Sequence, residues 1–134
     1  GWVREKQIVA LADLVSDWSR GADLPPVVVG DFNAEPDANE IRFFSGLAAL
    51  EGRSTCFHDA WRVAGPGGPG FTWDNRNPFA RQVAEPDRRI DYIFVGFDHE
   101  RGRIRVEDCR VVMNESRNGV YPSDHFGLMA WLVL

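Results

Sequence analysis

A chain of 134 residues, 44% hydrophobic with five Trp and nine Phe, is long enough and apolar enough to bury a core of its own, about one domain's worth. That composition excludes a disordered or fibrous polypeptide, and the formal charge of −5 argues against gripping nucleic acid through a broad basic surface. The longest apolar stretch, Phe126 to Leu134, is too short to span a bilayer, so no transmembrane segment is expected, and Gly1-Trp2 carries no legible address to a compartment.

Ile8, Leu11, Ala12, Val15 and Trp18 recur three or four apart among Arg4, Glu5, Lys6, Asp13, Asp17 and Arg20, which predicts an amphipathic helix ending near Gly21. Pro25-Pro26 stops it. The run Val27 to Val29 has no polar alternation, as expected of a strand covered on both faces, and Asp31 emerges where that strand ends. Asp37 and Glu40 form a capping-box-like start to a short helix through Ile41, Phe43, Phe44 and Leu47, pinning the Asp31 to Pro36 loop between strand and helix. A second short helix is expected over His58 to Val63, with Trp61 in the core. Gly65-Pro66-Gly67-Gly68-Pro69-Gly70 reads as a loop or a short linker, and Phe71-Thr72-Trp73 as a return to strand.

In Arg89 to Val95 the odd positions Asp91, Ile93 and Val95 share one strand face, and Ile90, Tyr92 and Phe94 share the other. Asp91 thus points the same way as two aliphatic side chains. From Ile104 the apolar period slips near Glu107-Asp108, as a bulge or strand switch would produce, and Leu128 to Leu134 reads as a fully covered final strand. Some five strands with two or three early helices and no βαβ alternation indicate an α+β fold, a layered sheet with helices on one face. Cys56 and Cys109 are expected to be small buried residues, with a disulfide between them left open.

Three acids therefore sit at the ends of, or inside, runs that read as buried strand: Asp31, Asp91 and Asp124. Burying an ionised carboxylate is costly unless a cation, a donor or a charged partner compensates it, and a shared metal and phosphate site is a common explanation for all three. A hard cation such as Mg²⁺ takes one or two carboxylates with water and phosphate, which makes these acids candidate ligands. Water aligned by one Asp would attack a phosphoester there, with Asn33 donating to a phosphoryl oxygen or to the bound water and His125 stabilising or protonating the developing charge. Asp91 on an apolar face is best explained by a hydrogen bond to a histidine ring. His125 is the obvious partner, although the chain has three histidines and spacing alone does not choose among them.

Each piece also has a plainer reading. Asp31 and Asn33 suit an Asx-type turn, Asp124 a turn after Pro122, and His58-Asp59-Ala60-Trp61 a helix start and core. Ser123-Asp124-His125 is not a serine triad, because adjacent residues on an extended chain point in different directions and no strained elbow surrounds Ser123. Arg76, Arg81, Arg88 and Arg89 make either a positive rim about the acidic centre or a solvated loop. Arg89, Asn75 and Asn77 are the candidates for substrate contact.

Gly30-Asp31-Phe32-Asn33, Arg89-Ile90-Asp91-Tyr92-Ile93 and Ser123-Asp124-His125, in that order, resemble the endonuclease/exonuclease/phosphatase family, the DNase I-like superfamily. The resemblance implies half of a four-layer αββα sandwich and hydrolysis of phosphodiesters or phosphomonoesters with Mg²⁺, or Mn²⁺ in its place. It assigns Asp31 to the attacking water, Asn33 to the phosphate, Asp91 to orienting His125, His125 to the scissile phosphate, and Asp124 with Asp31 to the metal. Substrates in that family include nucleic acid, inositol phosphates and phospholipid headgroups.

Family domains run to roughly twice this length, so residues 1–134 are expected to be a C-terminal half, weak or inactive alone for want of a metal-binding Glu in the first half. The inner sheet face would then need the N-terminal half, a second copy or another chain to cover it. The competing class is a non-catalytic module on the same scaffold, binding protein or nucleic acid. Joint retention of Asp31, Asn33, Asp91, Asp124 and His125 counts against it.

Overall fold

In the computed structural model, which describes residues 1–97 and 104–134, a three-stranded antiparallel sheet carries a helical layer on one face and a two-stranded ribbon on the other. Helix α1 (Trp2–Ser19) buries Ile8 and Val9 and packs Leu11, Ala12 and Val15 against the sheet, as the spacing of its apolar residues requires. Trp18 departs from that expectation: it stands 78% exposed beyond the packed stripe. Strands β1 (Val27–Asp31), β2 (Phe57–Asp59) and β3 (Asp91–Gly96) pair in the order β1-β3-β2. Beneath α1 and the short helix α2 (Asn39–Phe44), Phe43, Phe44, Phe57, Tyr92 and Phe94 form the larger core cluster. Phe44 stacks on Phe57 at 4.3 Å between ring centroids, and Tyr92 on Phe94 at 5.1 Å.

The opposite face is built from α3 (Ala60–Ala64) and the antiparallel ribbon of β4 (Arg105–Val112) and β5 (Gly127–Val133). There Ala60, Val95, Val106 and Cys109 are buried, with Ile93, Leu128, Ala130 and Leu132 packed around them. The two sets of β3 side chains thus divide between the two layers as the two-residue period requires. The ribbon's register shifts between Val106 and Asp108, where the apolar period slips. Among the described residues no helix is long and apolar enough to cross a membrane.

Several local expectations are overturned. β1 is not covered on both faces, because it is an edge strand and the second cluster takes no residue from it. Val27 and Val29 are left 43% and 66% exposed, and with Trp18, Leu24 and Pro26 they line an open cleft of about 490 Å³. β5 is likewise open on one side: Met129, Trp131 and Val133 alternate outward, since the ribbon is an outer layer. An apolar run therefore told of apolar faces and not of what covers them.

Glu40 does not cap α2, which starts from Ala38 without a side-chain cap. Its buried carboxylate instead takes a hydrogen bond from Arg4 of α1; burial opposes the charge, but that guanidinium more than offsets it and holds the carboxyl below its usual range. The helix expected from His58 begins at Ala60, because Phe57 to Asp59 pair with β3. Phe71-Thr72-Trp73 forms only a single bridge, Trp73 to Arg88, before Asp74 turns the chain away. A fourth helix, α4 (Pro78–Arg81), was not anticipated. Both cysteines are free thiols, and Cys56 is exposed where a buried one was expected.

Candidate functional site

Antiparallel pairing places Asp31, the last residue of β1, directly opposite Asp91, the first residue of β3. Residues in register share a face of the sheet, so both carboxylates leave it at the same end on the same side. His125, on the loop before β5, brings Nδ1 to 2.8 Å from Asp91 Oδ2. One ligand atom from each of Asp31, Asp91 and His125 lies within 4.8 Å of the others. Asp91, an acceptor when ionised, requires the proton on Nδ1, which leaves Nε2 as the free nitrogen of a neutral ring.

Asp31 is aimed by its neighbour: Asn33 donates its backbone N–H to Oδ1 at 2.7 Å and its Nδ2 to Oδ2 at 3.0 Å. Asn33 sits at φ +49°, a left-handed conformation that asparagine tolerates better than most residues. The Asx turn is thus also what orients the Asp31 carboxylate. Asp31 and Asp124 are exposed and Asp91 is only partly buried, so the premise that these acids are deeply buried fails. What brings Asp31 and Asp91 together is strand register, not a buried charge that needs compensation.

Asp124 lies outside the three-residue cluster, its Oδ1 accepting from Ser123 Oγ at 3.1 Å. Asn75 spends Nδ2 on Glu85 O at 2.8 Å and Asp87 Oδ1 at 2.7 Å. Asn77 is fully buried, capping α4 through Oδ1 and donating Nδ2 to the carbonyls of Ser123 and Asp124. Arg89, also buried, pairs with Asp59 at 2.7 Å and lies over the Tyr92 ring. Arg76, Arg81 and Arg88 are engaged as well, with Asp74, the carbonyl of Asn75 and Glu85. The arginine rim is therefore internally paired. Burial works against the Asp74 charge, yet the Arg76 hydrogen bonds hold its carboxyl below the usual range.

Residues not singled out from the sequence support the dyad. Thr72 is fully buried, its Oγ1 accepting from the N–H groups of Ile90 and Asp91 at 3.2 Å each, and its carbonyl accepts from Phe126 N at 2.7 Å. The Trp73 ring meets His125 edge-on at 5.1 Å. The Tyr92 hydroxyl donates to the carbonyls of Ala34 and Arg89, tying the loop after Asp31 to β3, and burial pushes its phenol well above the usual range.

Two carboxylates and an imidazole this close make a donor set that a divalent cation fits, since hard cations favour carboxylate oxygens.

A model of the Endonuclease/Exonuclease/phosphatase family matches residues 2–125. Among curated proteins, Nocturnin of Mus musculus is 28% identical over 142 residues, spanning 96% of this chain and 30% of Nocturnin. Among solved structures, the endonuclease/exonuclease/phosphatase from Bacteroides vulgatus aligns with a TM-score of 0.69 at 24% identity, over 98% of this chain and 44% of that one. D. rerio TDP2, complexed with a single strand DNA product, aligns with a TM-score of 0.69 at 22% identity, over 98% of this chain and 50% of that one. At such identities the structural likeness speaks for the fold. The chain spans 30% of the curated relative and 44–50% of the two solved chains.

Proposed function

This chain belongs to the endonuclease/exonuclease/phosphatase family, and from that premise we propose that it carries the nucleophile-activating and phosphate-binding side of a divalent-metal-dependent phosphoesterase. The observation that supports this reading best is the convergence of Asp31, Asp91 and His125 within 4.8 Å, with the imidazole held by Asp91 at 2.8 Å. Asp31, fixed by Asn33, aligns the attacking water and accepts its proton. The Asn33 amide supports one phosphoryl oxygen. His125, its Nδ1–H held by Asp91, acts in this scheme as the imidazolium, the second proton on Nε2 being donated to another phosphoryl oxygen as charge accumulates there. Asp31, with Asp91 across the strand pair, would hold Mg²⁺ or Mn²⁺, which when bound neutralises charge on the phosphoryl group. Arg89 and Asn77, spent inside the protein, support the scaffold in this scheme and do not touch substrate.

We read residues 1–134 as the C-terminal half of a family domain. The open Val27 and Val29 face supports that reading, since a sandwich partner would cover it. Turnover by this chain alone is then expected to be weak. The substrate class, whether nucleic acid, an inositol phosphate or a phospholipid headgroup, belongs to the whole enzyme.

Calorimetry with Mg²⁺ and Mn²⁺ tests the core of the proposal, alongside hydrolysis of a phosphodiester reporter. Heat of binding that disappears in Asp31→Ala, with slow Mg²⁺-dependent hydrolysis lost in His125→Ala, is the expected outcome. Absence of binding heat together with absence of hydrolysis would instead make the chain a non-catalytic module.

A further inference from the structure

His125 belongs to no helix or strand; it rides on the loop between β4 and β5. Its backbone is held from both sides by residues of one short segment. After it, Phe126 N donates to the Thr72 carbonyl at 2.7 Å, and Thr72 Oγ1 takes the N–H of Asp91, so the two halves of the dyad share one anchor. Before it, Asn77 Nδ2 donates to Ser123 O at 2.7 Å and to Asp124 O at 3.1 Å. We infer that Asn77 is a positioning residue, its fully buried amide holding the Ser123–Asp124 backbone so that the His125 ring meets Asp91. The inference rests on the reading of Asp91 and His125 as a working pair.

A helix cap alone does not account for this side chain. Capping α4 uses only Oδ1, which accepts from Phe79 N at 3.0 Å, and Ser or Asp supplies such an oxygen as well. Nδ2 takes no part in the cap and reaches 46 and 47 residues along the chain. Removing it would leave the loop carbonyls without a donor while α4 stays capped, so the loop would relax and carry the imidazole off Asp91.

Asn77→Ser and Asn77→Asp keep a capping oxygen and delete the donor. The readout is solvent exchange of the His125 Nδ1 proton, seen as a downfield resonance by NMR and assigned by its loss in His125→Gln. Val9→Ala, which weakens the packing of α1 in the core cluster that takes no residue from this loop or from α4, serves as the stability control. The expected result is exchange about tenfold faster, or more, in both Asn77 variants, with Val9→Ala at the wild-type rate. A wild-type rate in both Asn77 variants, equal acceleration in Val9→Ala, or no bonded Nδ1 proton in the wild type overturns the inference. If Asn77→Asp folds poorly, Asn77→Ser alone decides. The signal is read without substrate or metal, so failure of the hydrolase reading and failure of this one are separate results.

Discussion

Asp59→Ala is expected to cost far more stability than the truncation of one small side chain suggests. Asp59 and Arg89 are both about 95% buried and meet at 2.7 Å, while Arg89 Nη1 has no hydrogen-bond partner among the described residues. Removing the carboxylate strands a guanidinium with no counter-charge in a low-dielectric site, a loss of about 3–5 kcal/mol. Asp59 also caps α3 by accepting from Trp61 N at 3.1 Å, a contribution of about 1 kcal/mol. Together these amount to roughly 4–6 kcal/mol, a large share of the roughly 5–15 kcal/mol that holds a typical domain folded. Urea unfolding followed by Trp fluorescence reads the loss as a fall in midpoint at unchanged slope.

The double variant Asp59→Ala/Arg89→Met is the decisive arm of that experiment. With both charges gone nothing is left uncompensated, so most of the loss returns and the two substitutions are strongly non-additive. The same series tests what Arg89 does: a substrate contact would weaken binding and leave the urea midpoint in place. A loss below about 1 kcal/mol in Asp59→Ala, or additive effects in the double variant, would refute the reasoning.

Cys109 is buried, and burial, helped by the nearby Asp59 charge, pushes its thiol up to about 11, whereas Cys56 is exposed. Iodoacetamide at pH 8 should therefore label Cys56 alone, as peptide mapping would reveal. The folded protein keeps a proton on Cys109 that the unfolded chain releases earlier, so this contribution is complete at neutral pH and is lost as pH climbs toward 11; Cys109→Ala should flatten that alkaline slope. For Glu40 the sign reverses: its carboxyl is lowered in the fold, so its contribution is present above the unfolded value and lost as pH falls through the folded one. Glu40→Gln should therefore melt lower than wild type at pH 7 and converge with it in acid, by differential scanning calorimetry. On the proposed hydrolase reading with Asp91 orienting His125, Asp91→Asn and His125→Ala in the complete enzyme should each lower phosphodiester turnover by about 10²–10⁴-fold, with the double variant little worse than either, while independent additive losses would separate the pair.

The parts of the site that a reader of the chain can see are those governed by short periods. Alternation along Arg89 to Val95 puts Asp91 on the face of Ile93 and Val95, and the slip at Glu107-Asp108 becomes the register shift of the ribbon. What stays hidden depends on partners dozens of residues away. Glu40 three residues after Asp37 reads as a capping box, yet its carboxylate belongs to Arg4, 36 residues earlier. Nothing local to Asn77 says that its amide nitrogen ends on a loop 46 residues later, and nothing local to Asp31 says that the partner across the strand is Asp91.

That last pairing follows from the whole register between Val27↔Val95 and Asp31↔Asp91, so slipping β1 by one residue would turn the Asp31 side chain to the opposite face. The short hydrophobic strand beneath the site is therefore what brings its two carboxylates together. Val28 packs inward among the aromatic residues of the main core, and its replacement by a charged residue would disturb Asp31 without touching it. The outward Val27 is the control: Val27→Lys lies at the far end of the same strand beside an open face, and should leave the Asp31–Asp91–His125 geometry intact if register, and not strand composition, sets the site.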